Sequence, residues 1–203
     1  MFRLATLLSV LALALGGSVR ADDTPTKDKS FTDLIGKPAP EIKANFNLNG
    51  KTAKLSDLKG KVVLVDFWAV WCGPCIATFP HLRDWHKEYN KKGLEIVGVT
   101  TYYERFNFDA ATGKLARAQN PLKANEEQDM LKSFTGHHKL EHQIMAISKG
   151  DWTSVVSSEY KVRGIPTAVL IDRKGNVRMV RVGSGKANAD DLEAMIKKLL
   201  DEK

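Results

Sequence analysis

Apolar residues along this chain fall into short unbroken runs, separated by stretches where they recur at helical spacing. Residues 61–67, KVVLVDF, are apolar on both faces, which predicts a strand inside a sheet covered on both sides. Residues 94–100, 143–147 and 167–171 read as further strands. The last is joined to a strand over 177–182 through Arg173-Lys174-Gly175-Asn176, a hairpin. Helical spacing predicts a helix from Cys72 to about Lys91, kinked at Pro80 and ended by Gly93. A second helix is predicted over 125–139, capped by Asn125 and loosened at Gly136. A third is predicted over 188–200, with Asp190 and Asp191 in its first turn and Lys197 and Lys198 near its end. Upstream, 41–47 and 50–55 read as two short strands turned by Asn49-Gly50, a strong hairpin signal. Residues 31–40 read as an entry loop with a short helical turn, and 56–58 and 150–158 as further turns. Residues 102–121 show little periodicity. The sum is an α/β fold, a mixed sheet with helices on both faces.

The N-terminus changes this picture. Arg3, the apolar residues 4–15 and Val19-Arg20-Ala21 have the order of a signal peptide over 1–21, followed by a polar linker over 22–30. The apolar run is short for a bilayer span, so no stable membrane insertion is expected after cleavage. An exported location, the periplasm or cell envelope, is expected. Residues 31–203 suit one domain. Removing residues 1–21 takes away two arginines and lowers the formal charge from +7 to +5. So small an excess describes a solvated basic surface and gives no reason to expect nucleic acid as a partner.

The chain has two cysteines, Cys72 and Cys75, at the end of the run VVLVDFWAVWCGPC. A disulfide between them closes a very small loop and constrains the unfolded chain little, so its use is chemical rather than structural. Gly73-Pro74 reads as a turn into the helix, whose N-terminus favours a thiolate. Cys72, at the helix start, is the expected nucleophile. Cys75, one turn inside, is expected to resolve the mixed disulfide. Asp66 lies within the apolar strand, where burial raises a carboxyl pKa, and it suits a proton acceptor for Cys75. Pro74 removes a backbone donor from the neighbourhood of Cys72, which leans the pair toward reduction. Trp71 is expected at the surface beside Cys72, with Trp68 and Phe67 packed inside. Two cysteines are half a zinc site, and His81 and His86 do not share a helical face with both thiols, so no metal or other cofactor is expected.

The residues VDFWAVWCGPC resemble the active-site segment of the thioredoxin superfamily. Gly164-Ile165-Pro166-Thr167, the apolar residues 168–171 and Asp172-Arg173-Lys174-Gly175 resemble its cis-proline loop with the following strand and turn. Upstream, GKPAP at 36–40 and LSDLKGK at 55–61 are similar to the N-terminal extension of TlpA/ResA-like exported thiol–disulfide oxidoreductases. The resemblance covers roughly 34–100 and 159–203, leaving about 101–158 as a central insertion. It implies a thioredoxin-like sheet with an N-terminal β-hairpin extension, and disulfide-containing proteins as substrates. It also implies a membrane-embedded thiol reductant. Asp66 matches the buried aspartate of thioredoxin. Pro166 matches the cis-proline that sets the Ile165 backbone beside the disulfide, where a substrate strand can pair. Trp71, Gly73, Pro74, Ile165 and Pro166 are the expected substrate-binding residues.

Two other functions stay open on the sequence. A thiol peroxidase of the peroxiredoxin branch would resemble Pro-x-x-x-Thr/Ser-x-x-Cys, but Ala69 stands at the hydroxyl position and the proline is absent. A non-enzymatic binding module would leave the dithiol a remnant. Within the insertion, Tyr102, Tyr103, Phe106 and Phe108 either line a substrate groove or form the core of the added loop. His137, His138 and His142 read as a surface cluster.

Overall fold

The computed structural model describes residues 29–202. The expected signal peptide and residues 22–28 of the expected linker lie outside them. Six strands form one mixed sheet in the order β1-β6-β3-β2-β7-β8. These are β1 (Phe46–Leu48), β2 (Val62–Phe67), β3 (Leu94–Thr101), β6 (Gln143–Ile147), β7 (Thr167–Ile171) and β8 (Val177–Val182). Strands β2, β3 and β6 are parallel, and β1, β7 and β8 run against their neighbours. Every residue of β2 is buried, because side chains on both faces meet packed layers.

Alternation along β2 divides the core in two. Val62 and Leu64 face helices α1 (Gly73–Tyr89), α2 (Ala124–His137) and α4 (Lys186–Asp201), where Phe79, Phe134 and Ile196 pack. Val63, Val65 and Phe67 face the N-terminal segment and the helical stretch of α3 (Lys149–Asp151) and the π-helix Trp152–Glu159, where Leu34, Val156 and Tyr160 pack.

Helix α1 runs unbroken through Pro80 to Tyr89. Gly93 ends the following 3-10 turn at φ 108°, a left-handed conformation that suits glycine. Helix α2 starts at Ala124 rather than after Asn125, and its Glu126 carboxylate accepts from the Lys123 N–H at 2.7 Å. Helix α4 starts at Lys186, which moves Asp190 and Asp191 out of its first turn. They bind Lys186 and Arg181 instead.

The expected N-terminal hairpin is reduced to one bridge, Lys43 to Lys54, with no named strand over 50–55. Phe46–Leu48 pairs with β6 instead. Asn49 still turns the chain, at φ 57°, and its amide donates to the carbonyls of Leu140 and His142. Of the expected insertion, β6 is an interior strand of the sheet. A separate two-stranded sheet, β4 (Phe106–Asp109) with β5 (Lys114–Arg117), accounts for the stretch read as aperiodic. Phe108 packs edge-on to Phe134 of α2 at 5.1 Å. At the hairpin tip the Asp109 carboxylate accepts from the N–H groups of Ala111 and Thr112.

Candidate active site

Strand β2 ends at Phe67, and the chain turns through residues 68–71 into α1. Cys72 is the N-cap of that helix, and its Sγ accepts from the Cys75 N–H at 3.2 Å. This is the position at which a helix offers unpaired donors to an anionic sulfur. Gly73 and Pro74 fill the first turn, and Pro74 brings no N–H. The two sulfurs are joined in a disulfide, 2.06 Å apart. Both cysteines are buried, Cys72 at 4% exposure and Cys75 at 0%.

The loop before β7 closes over the sulfurs. The Ile165 carbonyl oxygen lies 3.8 Å from Cys72 Sγ, and the Ile165–Pro166 peptide is cis. The Thr167 hydroxyl donates to the Gly164 carbonyl at 2.7 Å, and the Gly183 N–H donates to the Pro166 carbonyl at 2.8 Å, tying the loop to β7 and β8. Trp71 is 47% exposed, and its ring meets Tyr103 edge-on at 5.6 Å. Val182, opposite Thr167 on β8, is 44% exposed. Among the described residues these are the two exposed large apolar side chains. Trp71 flanks Cys72 and Val182 stands beside the Pro166 loop.

Asp66 lies inside, paired across the sheet with Gly98 on β3 and Ala168 on β7. Its Oδ2 is buried without a hydrogen-bond partner, and burial pushes its pKa up to about 7. It borders a cleft of about 280 Å³ shared with Ala77, Thr78 and His81 of α1 and with Gly183, Lys186 and Asn188. Thr78 is one turn from Cys75 and donates to its carbonyl at 2.7 Å.

Trp68 is buried and stacks on Phe134 at 5.7 Å. The three late histidines do not form a surface cluster. His137 is exposed, His138 is half-buried against Phe134 at 4.4 Å, and His142 is buried at 2% exposure. Burial holds the His142 pKa down at about 3, with help from His86 at a ring separation of 6.2 Å. The reason is topological: residue 142 leads directly into β6, beneath α1. A side chain at Gly98 would collide there with Ile144 and the Trp68 indole nitrogen, at 2.7 and 2.9 Å.

Two features escaped the sequence reading. Val182 looked like one more apolar strand residue. Glu127 is a buried carboxylate on the apolar face of α2, accepting from the N–H groups of Tyr103 and Glu104 at 2.6 and 2.8 Å. The spacing Glu127, Met130, Leu131, Phe134 puts a charge on a core stripe, and that signal was legible.

The fold and the sulfur pair have counterparts. A Redoxin family model matches residues 34–196. The chain belongs to the Redoxin family. This Redoxin-family chain is 31% identical to the thiol-disulfide oxidoreductase ResA of Bacillus cereus, over 98% of its own length and 95% of the relative's. It is 30% identical, over 73% of its length and 72% of the relative's, to the thioredoxin-like protein YneN of Bacillus subtilis. Among solved structures it resembles a putative thiol:disulfide interchange protein DsbE from Chlorobium tepidum. That match has TM-score 0.57 and 36% identity, covering 82% of this chain and 97% of the other. With the Cys72–Cys75 disulfide, this makes the protein a thiol–disulfide oxidoreductase of thioredoxin-like fold that acts on disulfide-containing proteins. Among the described residues, no helix is long and apolar enough to cross a membrane.

Proposed function

We propose that this oxidoreductase works as a reductase of protein disulfides in an exported compartment. Cys72 attacks a substrate disulfide as the thiolate and forms a mixed disulfide. Asp66 takes the proton of Cys75, whose thiolate attacks Cys72 Sγ, releases the second substrate thiol and leaves Cys72–Cys75 oxidised. The substrate strand lies along Ile165 and Pro166, against Trp71 and the Gly73-Pro74 turn. A membrane-embedded thiol carrier returns the pair to the dithiol state. Export rests on the order of Arg3, the apolar residues 4–15 and Val19-Arg20-Ala21. Residues 1–21 are then the signal, and 31–203 the working domain.

The observation that carries the reducing direction is the set of donors at the nucleophile. Cys72 Sγ receives the Cys75 N–H, while Pro74 inside the same turn supplies none. A thiolate with fewer donors is less stabilised, and the dithiol form gives up its electrons more readily. The test is the reduction potential of the Cys72–Cys75 couple, equilibrated against defined dithiol buffers with the thiols trapped. A reductase lies at or below about −230 mV, toward the thioredoxin end. A value above about −150 mV, toward DsbA, would make the protein an oxidant instead.

A further inference from the structure

The hairpin β4–β5 joins the body at a cleft of about 230 Å³, lined by Tyr103, Glu104, Arg105, Arg117, Gln119 and Lys149. Its charges are unequal. Lys149 is paired with Glu104 at 2.8 Å, so those two cancel. Arg105 and Arg117 are both exposed and make no ion pair among the described residues. The strands bring them to the same end, since the Ala118 N–H donates to the Arg105 carbonyl and Arg117 pairs with Phe106. Both border the cleft, and neither is neutralised by a counterion among the described residues. Guanidinium groups suit carboxylates, which they grip through two parallel hydrogen bonds.

The backbone of the cleft is fixed from inside. Buried Glu127 accepts from the N–H groups of Tyr103 and Glu104, and Glu104 holds a left-handed φ of 60°. The Leu122 N–H closes the other side on the Glu104 carbonyl at 2.9 Å. Tyr103, which lines the cleft, meets Trp71 beside Cys72, so one aromatic pair separates the cleft from the disulfide.

We infer that this cleft binds an acidic segment of the protein whose disulfide is being reduced, so that Arg105 and Arg117 select substrates with carboxylates flanking the target cysteine. The inference rests on the reductase reading of the Cys72–Cys75 pair and adds the substrate class to it. Exposed charges of this kind act mainly on encounter rate and are screened by salt.

The test uses two fluorogenic disulfide peptides, identical except for three glutamates or three glutamines on each side of the cysteine. The full reduced protein is assayed against both, and against a small aromatic disulfide. At low salt the glutamate peptide is expected to have the higher kcat/KM, by about tenfold for two exposed ion pairs. The ratio falls toward one at 1 M salt and in the Arg105→Gln/Arg117→Gln variant. Equal rates for both peptides, or a glutamate preference that survives in the variant, would overturn the docking assignment while leaving the reductase reading in place. Failure to reduce either peptide or the small disulfide would overturn the reductase reading itself, and the docking with it.

Discussion

On the α1 side of the sheet, Asp66, Trp68, His86 and His142 each hold a buried polar atom with no hydrogen-bond partner. On the opposite side, buried polar groups are matched. Tyr160 donates to the Pro40 carbonyl at 2.7 Å, Thr101 to Ile147 at 3.0 Å and Thr167 to Gly164 at 2.7 Å. Both faces are filled with buried apolar side chains, so apolar burial alone does not set the two apart. An unmatched buried polar group costs about 1–3 kcal/mol. The fold gathers these costs beneath the helix that carries the disulfide.

The largest effect that would break this contrast is at Asp66. Its folded pKa of about 7 lies above the ordinary 3.8, so the folded protein holds that proton more tightly than the unfolded chain. Stability from this group is full below pH 4, falls as pH rises toward 7, and stays low above it. The gap corresponds to about 4 kcal/mol. Asp66→Asn should therefore gain up to about 4 kcal/mol over the parent at pH 8 in urea denaturation, and little at pH 4. The same substitution should slow the resolving step near neutral pH. A parent whose stability is flat from pH 4 to 8 would show that no buried carboxylate charge exists there.

His142 carries the opposite sign. With a folded pKa near 3 it stays neutral while the unfolded chain takes up a proton below pH 6.5. At pH 5 this costs the folded protein about 2 kcal/mol. In His142→Gln the stability difference between pH 7.5 and pH 5 should shrink by that amount, measured by the same titration. An unchanged difference would assign the acid loss to other groups. The smallest effect is on the matched face. Tyr160→Phe should cost about 1 kcal/mol for one hydrogen bond, equally at pH 5 and pH 8. A pH-dependent loss there would erase the distinction between the two sides.

Much of the central sheet was legible because burial on both faces leaves an unbroken apolar run. Strands β6, β7 and β8 fall where residues 143–147, 167–171 and 177–182 predict them. The sulfur pair was legible because the two cysteines close an apolar run at a Gly-Pro turn into a helix, where spacing alone would also have suited half a zinc site. Pairing partners were less so. Asn49-Gly50 is a local hairpin signal, but Asn49 is held by carbonyls 91 and 93 residues away, and Phe46–Leu48 takes the edge of β6. Strands β4 and β5 have only four residues each, and in β5 all but Leu115 are exposed, so their periodicity is faint. Phe106-Asn107-Phe108-Asp109 does alternate strictly, and Gly113 marks the turn, which is the signal that locates them. The burial of His142 depends on tertiary placement, which neither its neighbours in sequence nor its charge reveal.

The Asp109 turn has a use in engineering. Its carboxylate caps the tip from within and residues 110–112 are exposed, while Gly113 rests against the His137 side chain of α2. Foreign loops tolerate insertion best at such exposed tips. A recognition loop grafted at this tip would take the place of that internal cap and stand on a stem already pinned at its root by Glu127. Changing the graft would then redirect the enzyme to a new client without altering the residues that carry electrons.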